Sequence, residues 1–444
     1  MKKATLLLCV LAGTLAAQIS PARLDAQAKA YFDQNQFNGS VLVSKGGVNQ
    51  LNKGYGMANF EWGIPNGPST KFRLGSITKQ FTAMLILQLE QQGKLSVNDP
   101  ISKHVPDSPA SWQNITIHHL LTHTSGIPNL TSFPDYQKTM MMPSPPAESM
   151  KKFRDKPLDF DPGTKFSYSN SGYILLGLIV ENVTGKKYAD VLRDQILVPA
   201  GMNDTGYDLD TTLIPNRAAG YTRSPKGLAN AAFIDMTIPH AAGAMYSTTE
   251  DLKKWDAILQ TEKLLPDSAK QRYWTPFKDT YAYGWDVRKQ DGVTVESHGG
   301  GINGFATMII RIPEEKLLVV TLSNVLPSQA GKLANELVRL AEGKDVDVPK
   351  ARKEISVAPE ILDRYVGKYE LRPDFVMEVT REGNQLMTQA TGQGKIPIFA
   401  ETETKFFPKV VDATITFQSD ASGKVTGLVL TQGGREMPAK RQTP

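Results

Sequence analysis

A hydroxyl and an amine stand three residues apart in Ser76-Ile77-Thr78-Lys79, where an apolar helical pattern begins. On a helix that spacing puts both groups on one face, within contact range. A serine hydroxyl is a weak nucleophile until a base takes its proton, and a lysine can serve only if burial or neighbouring positive charge lowers its pKa from about 10.4. Keeping it neutral near pH 7 means lowering that value by roughly three pH units, about 4 kcal/mol supplied by the surroundings. The unpaired N–H groups at the helix start lie where negative charge would develop on an attacked carbonyl.

Two further segments offer complementary chemistry. Tyr168-Ser169-Asn170 follows Pro162-Gly163-Thr164 and precedes a second apolar helix, a tight connection from which side chains can project into a cleft. A tyrosine near a lysine can relay a proton, and an asparagine can both donate to and accept from a substrate amide. His298-Gly299-Gly300-Gly301 follows the strand-like Val293–Ser297 and forms a sheet edge bare of side chains. A substrate backbone can pair with such an edge, and the Gly301 N–H can point at a carbonyl oxygen. Taken singly, each segment has an ordinary alternative: a helix start, a tyrosine packed at a helix entry, a glycine-rich turn. The Ser-x-x-Lys spacing even recurs at Ser149-Met150-Lys151-Lys152, inside a proline-rich stretch with no apolar helix behind it.

In this order and context the three elements resemble the penicillin-recognising serine hydrolases: class C β-lactamases, D-alanyl-D-alanine carboxypeptidases, and related esterases and D-aminopeptidases. Phe72-Arg73-Leu74-Gly75-Ser76, Leu120-Leu121-Thr122-His123-Thr124-Ser125-Gly126 and Tyr168-Ser169-Asn170-Ser171-Gly172-Tyr173 carry the same resemblance, which spans roughly residues 25 to 340. It implies a β-lactamase/transpeptidase-like α/β sandwich, an antiparallel sheet flanked by helices, with a helical domain. It implies Ser76 as the acylated nucleophile, with Lys79 taking its proton or tuning the group that does, and Tyr168 as general base and acid. Asn170, His298, Gly299 and Gly300 would bind substrate, and the N–H groups of Ser76 and Gly301 would form the oxyanion hole. No metal and no cofactor is implied. The expected partners are small-molecule or peptide substrates, cell-wall fragments included, and not nucleic acid.

The sequence departs from the family pattern at His298. Many β-lactamases and carboxypeptidases have Lys-Thr-Gly or Lys-Ser-Gly there, and a charged ammonium attracts a substrate carboxylate. A histidine with an ordinary pKa near 6.5 is mostly neutral at pH 7. Similarity to histidine-bearing relatives therefore tilts the expectation to cleavage of small esters or amides, D-residue peptides among them. The alternatives are a true β-lactamase or D-alanyl-D-alanine carboxypeptidase, and a catalytically silent binding or sensor module.

The elements that must position these residues are legible from pattern. Gly39–Ser44 and Gly46–Leu51 are β-rich runs around a glycine turn and predict a hairpin. Phe81, Met84, Leu85, Leu87 and Leu89 recur near helical spacing until Gly93 stops the helix. Tyr173, Leu176, Leu178 and Ile179 mark the helix after Asn170, and Thr248 followed by Asp251 predicts a capped start for a third. Strand-like runs return at 281–287, 293–297, 305–312 and 317–322. A strand pair, many helices, then several strands predicts a sheet assembled from both chain ends with a helical region inserted. Residues 128–162 read as an irregular, lid-like excursion. Lys, Asp, Glu and Pro around 346–357 read as a linker, and short strands at 365–431 predict a small all-β, barrel-like domain over 358–444.

The remaining features bound the class. Of 444 residues, 40% are apolar and 21% charged, which excludes an intrinsically disordered chain. A net charge of +5 without a clustered patch gives no sign of a polyanion partner. Met1-Lys2-Lys3, the apolar run to Ala12 and the small residues to Ala17 have the form of a secretory signal peptide over 1–17, leaving 18–345 as the hydrolase domain of a secreted or periplasmic protein with no membrane span in its mature chain. The single cysteine, Cys9, falls inside that segment, so cleavage would leave no thiol for catalysis, disulfides or metal. His118, His119 and His123 lack the H-E-x-x-H pattern for zinc, and Gly299–Gly304 lacks the ending of a phosphate loop. Met140–Met142 reads as a surface or lid packing patch.

Overall fold

The computed structural model describes residues 19–224, 226–349, 352–409, 411, 413–432 and 435–442. The signal-peptide reading of 1–17, and Cys9 with it, lies outside them. Among the described residues no helix is long and apolar enough to cross a membrane.

Strands from both chain ends form one six-stranded sheet. Its spatial order is Asp286–Gln290, Val293–Ile302, Phe305–Ile312, Leu317–Ser323, Gly39–Lys45, Val48–Tyr55, with every neighbour antiparallel. The seam between the chain ends is the pairing of Gly39–Lys45 with Leu317–Ser323. Period-two alternation makes this a buried middle layer. Val41, Val43, Val319 and Ile310 pack with Leu24, Ala28 and Tyr31 of the helix Pro21–Asp33 and with Leu333 and Leu337 of the helix Ala330–Ala341. Leu42, Leu318, Val320 and Ile309 join the opposite core, shared with the inserted helical region.

Two helices dominate that region. Thr78–Gln91 is buried on every side from Thr78 to Leu89, and Asn170–Thr184 is buried from Ser171 to Val180 before Gly185 ends it at φ +66. Helices apolar all round belong inside a core, which is why both were visible as dense apolar runs. The Thr248 hydroxyl accepts from the Asp251 amide, capping the helix Thr249–Leu259 as its sequence predicts.

Three details differ from expectation. The stretch 128–162 carries short helices, among them Pro146–Arg154, whose Met150 and Phe153 enter the main core. The strand expected from Tyr281 begins at Asp286. In the C-terminal region Ile396–Ala400 and Arg435–Arg441 also form strands, completing a closed eight-stranded barrel from Gly367 to Arg441. Pro397, and Arg435 with Lys440, mask these strands in a search for apolar alternation. Tyr365, read as strand, ends the helix Pro359–Tyr365 and stacks on Phe417 with ring centroids 4.2 Å apart. Between body and barrel the chain is tied at both sides: Gln27 donates to the Asp347 carbonyl, and the Ile355 amide donates to that of Ala400.

Candidate active site

The turn that presents Ser76 is held from three directions. The Leu74 amide donates to the Met245 carbonyl, and the Leu74 carbonyl accepts from Thr307 Oγ1 at 2.7 Å. Gly75 has φ +56, a conformation that favours glycine, and a Cβ there would sit 2.8 Å from the Gly301 nitrogen. Arg73, immediately upstream, is tied to the fully buried Asp208 at 2.8 Å, and Arg217 holds the other carboxylate oxygen. Gly75–Ile77 forms a 3₁₀ turn that runs into the helix Thr78–Gln91, so the Ser76 amide belongs to the unpaired first turn.

Lys79 lies on the same face and is completely buried. Its Nζ is 2.9 Å from Ser76 Oγ, 2.9 Å from Asn170 Oδ1 and 2.8 Å from the Ala242 carbonyl oxygen. None of these partners is a carboxylate, and burial pulls the amine well below its usual pKa. A neutral amine has two hydrogens and one lone pair. Two carbonyl oxygens, which can only accept, take the hydrogens, and the lone pair is left facing the Ser76 hydroxyl.

Tyr168 completes a triangle. Lys79 Nζ lies 4.9 Å from its ring centroid, and the ring packs at 4.1 Å on that of His123. Its hydroxyl is buried and forms no full hydrogen bond, although Ser76 is near enough to oppose the strong upward push of burial on its pKa. A buried phenol without a fixed partner is poised to bond whatever occupies the cleft.

The strand Val293–Ile302 forms the opposite wall. Its pairing with Asp286–Gln290 ends at Ser297↔Asp286, so His298–Ile302 is paired on one side only. Gly300 is forced: a Cβ there would lie 1.9 Å from the Leu74 carbonyl oxygen. Gly301 has nothing within 4 Å of that position and faces open space beside Ser76's turn. His298 is buried and its pKa is held down to about 4, chiefly by desolvation and then by Lys79. Ser76, Lys79, Tyr168, Asn170, His298, Gly299, Gly300 and Gly301 thus converge on one cleft. A separate cavity of about 590 Å³ lies between body and barrel, lined by residues that include Asn35, Arg223, Phe399 and Lys409, none of them among these eight.

Sequence reasoning missed several contributors. Asn129 Oδ1 accepts from both the backbone and the side-chain nitrogen of Asn170, and Thr131 Oγ1 accepts from the latter. Ala242 contributes only a carbonyl, which no side-chain pattern can announce. Tyr281 meets His298 through a long-range contact. His123 was noticed as part of a motif; at φ +56 its Nδ1 accepts from the Ser169 amide, fixing the turn that carries Tyr168.

The segments set aside have other occupations. His118 Nδ1 meets the Tyr283 hydroxyl at 2.7 Å and His119 Nδ1 accepts from the Thr116 amide, a helix cap. No group of three or more His, Cys, Asp or Glu side chains among the described residues could hold a metal. Ser149 is buried and donates to the Ser144 carbonyl. Met140 packs with Ile234, Met236 and Ile238, while Met141 and Met142 are exposed.

Comparison with known proteins gives the following relationships. The family model described as Beta-lactamase matches residues 24–343, and one described as a domain of unknown function (DUF3471) matches 351–441. Penicillin-binding protein 4* of Bacillus subtilis (strain 168) is 29% identical over 439 residues, 92% of this chain and 96% of that protein. The octameric penicillin-binding protein homologue from Pyrococcus abyssi superposes with a TM-score of 0.66 at 27% identity, over 94% of this chain and 99% of that one. A D-stereospecific amidohydrolase from Streptomyces sp. matches at TM-score 0.60 and 25% identity, over 70% of this chain and 97% of that one.

Proposed function

Because the chain belongs to the beta-lactamase family, as a serine hydrolase of the β-lactamase/transpeptidase fold, we propose that it cleaves small esters or amides, D-residue peptides among them, through an acyl-enzyme on Ser76. The observation that carries this reading is the fully buried Lys79 Nζ 2.9 Å from Ser76 Oγ, its other close partners two carbonyl oxygens and none of them a carboxylate, with burial pulling its pKa well below the ordinary value.

In the first half-reaction the Ser76 hydroxyl attacks the substrate carbonyl carbon and its proton passes to the Lys79–Tyr168 pair. The oxyanion forms against the N–H groups of Ser76 and Gly301. As the tetrahedral intermediate collapses, the bond to the leaving atom breaks and that atom takes a proton from Tyr168. Water then repeats the sequence in reverse order and releases the acid. Asn170, whose two side-chain hydrogens are held by Asn129 and Thr131, orients the substrate through the remaining lone pair of Oδ1, which can accept from a substrate amide. The Streptomyces relative named as a D-stereospecific amidohydrolase supports the amide half of the reading.

We read 1–17 as a signal for export, placing the mature protein in the periplasm or medium, with 18–345 the catalytic unit, 346–357 a linker and 358–444 a separate β domain. A fluorophosphonate probe should label Ser76, and a p-nitrophenyl ester or D-amino-acid amide should be turned over faster than nitrocefin. Fast nitrocefin hydrolysis with poor ester cleavage reverses the preference. Absence of labelling under conditions that label an active relative favours a silent binding module.

A further inference from the structure

His240 carries two unfavourable features that an ordinary buried residue avoids. Its backbone lies at φ +38, where residues with a Cβ are strained, and its buried Nε2 has no hydrogen-bond partner among the described residues. Features of this kind persist only where the surroundings over-determine them, and they gather at functional sites. The other ring nitrogen is fixed. Tyr207 has one hydroxyl hydrogen, which the Met236 carbonyl accepts, so Nδ1–H donates to the Tyr207 oxygen at 3.0 Å. On its far side the ring meets the helix Asn170–Thr184 at Gly177, where a Cβ would lie 2.5 Å from Nε2 and 2.6 Å from Ala241 Cβ. A glycine in mid-helix is unfavourable by itself, and here it makes room for this contact. The Tyr188 ring packs against the imidazole at 5.1 Å.

What the ring holds is the turn His240–Gly243. Its two middle carbonyls meet one face of the helix Thr78–Gln91: that of Ala241 accepts from Thr82 Oγ1 at 2.7 Å, and that of Ala242 accepts from Lys79 Nζ at 2.8 Å. Lys79 and Thr82 stand three residues apart, so the two bonds run side by side. Gly243 carries the turn on to the nucleophile loop, where a Cβ on it would lie 3.7 Å from the Gly75 backbone. The other carbonyl partner of Lys79, on Asn170, belongs to the start of the helix that His240 touches at Gly177. Both carbonyls that orient the amine thus sit on elements that this one side chain joins.

We propose that His240 is a positioning residue for acyl transfer: wedged between Gly177 and Tyr207, it holds the Ala242 carbonyl on Lys79 and so keeps the amine aimed at Ser76 Oγ. This rests on the proposed function, in which Lys79 and Tyr168 together receive the Ser76 proton. Without the wedge the turn relaxes and Lys79 keeps one carbonyl partner in place of two. The amine then samples orientations in which a hydrogen, not the lone pair, faces Ser76. The His240 side chain bonds nothing in the cleft, so substrate binding is left intact.

The test measures kcat and KM on a p-nitrophenyl ester, together with the melting temperature, for the full chain and its variants. His240→Ala removes the wedge and keeps the strained backbone; kcat should fall about tenfold or more, with KM within about twofold. His240→Asn accepts φ +38 and offers an amide N–H at the place of Nδ1, so its kcat should stay within about threefold of the parent. Tyr207→Phe removes the hydroxyl that pins the ring and should lower kcat about threefold or more. Combining it with His240→Ala should slow the enzyme no further, because both act through one contact. A role in filling the core alone would lower the melting temperature and leave the folded variants at the parental kcat. That result, a loss confined to KM, additive losses in the double variant, or His240→Asn as slow as His240→Ala overturns this inference alone. If His240→Ala does not fold, Tyr207→Phe decides by the same split: lower kcat at unchanged KM supports it, and parental kcat overturns it. An unmodified chain that cleaves no ester or amide and leaves Ser76 unlabelled by a fluorophosphonate removes the parent reading instead, before any variant is compared.

Discussion

Ser76 Oγ and Lys79 Nζ are 2.9 Å apart, and the remaining close partners of Lys79 are two carbonyl oxygens, from Asn170 and Ala242. Deep burial without a carboxylate partner is an expensive way to keep an ammonium and an inexpensive way to keep an amine. The pair is therefore set for proton transfer rather than for ion pairing.

Lys79→Met tests that directly. Methionine fills similar volume but has no base, so kcat on a p-nitrophenyl ester should fall by about 10²- to 10⁴-fold. Circular dichroism should show a folded protein, and fluorophosphonate labelling of Ser76 should slow in parallel. Unchanged kcat would remove Lys79 from the proposed mechanism.

Tyr168→Phe separates function from stability. The ring contact with His123 at 4.1 Å survives, while a buried hydroxyl lacking a full hydrogen bond is removed. Chemical denaturation should show stability unchanged or raised by about 1 kcal/mol. Turnover should drop by about 10²-fold or more.

The glycine strand gives a paired prediction. Gly300→Ala places a Cβ 1.9 Å from the Leu74 carbonyl oxygen, so strand and nucleophile turn must separate. Gly301→Ala meets nothing within 4 Å. The first should lose both thermal stability and nearly all kcat. The second should melt with the parent and act mainly through KM, because its methyl group lies on the edge that a substrate backbone would pair with. Equal melting temperatures for the two variants would contradict this packing.

Stability should decline in mild acid. Burial lowers the pKa of His118 and His298 to about 4 and of His240 to about 3. Between pH 6.5 and 4 the unfolded chain binds protons at these positions and the folded chain does not, so unfolding becomes easier as pH falls. The effect is on the order of 2 kcal/mol per fully buried ring by pH 4. Denaturant titrations at pH 7.5 and 4.5 measure it, and His240→Asn should flatten the slope, since Asn tolerates the φ of +38 and does not titrate.

How much of this was visible beforehand differs between elements. The helices Thr78–Gln91 and Asn170–Thr184 and the hairpin Gly39–Tyr55 announce themselves through local apolar spacing, because burial follows the period of the backbone. Strands such as Ile396–Ala400 and Arg435–Arg441 do not, since barrel closure rather than apolar alternation holds them in place.

The sequence by itself determined the chemical types in the cleft: a hydroxyl three residues before an amine, a phenol two before an amide, a histidine before three glycines. Only the tertiary structure decided their protonation and reach. The pKa of Lys79 is pulled down because helices distant in sequence exclude water from it, and the carbonyl that accepts from it belongs to Ala242, 163 residues on. The His298 ring is held at one nitrogen by the neighbouring Gly299 carbonyl and at the other by Tyr281, 17 residues earlier. Residue type is a local property, whereas desolvation and hydrogen-bond partnership depend on what the fold brings alongside, and pKa values and tautomers follow from those.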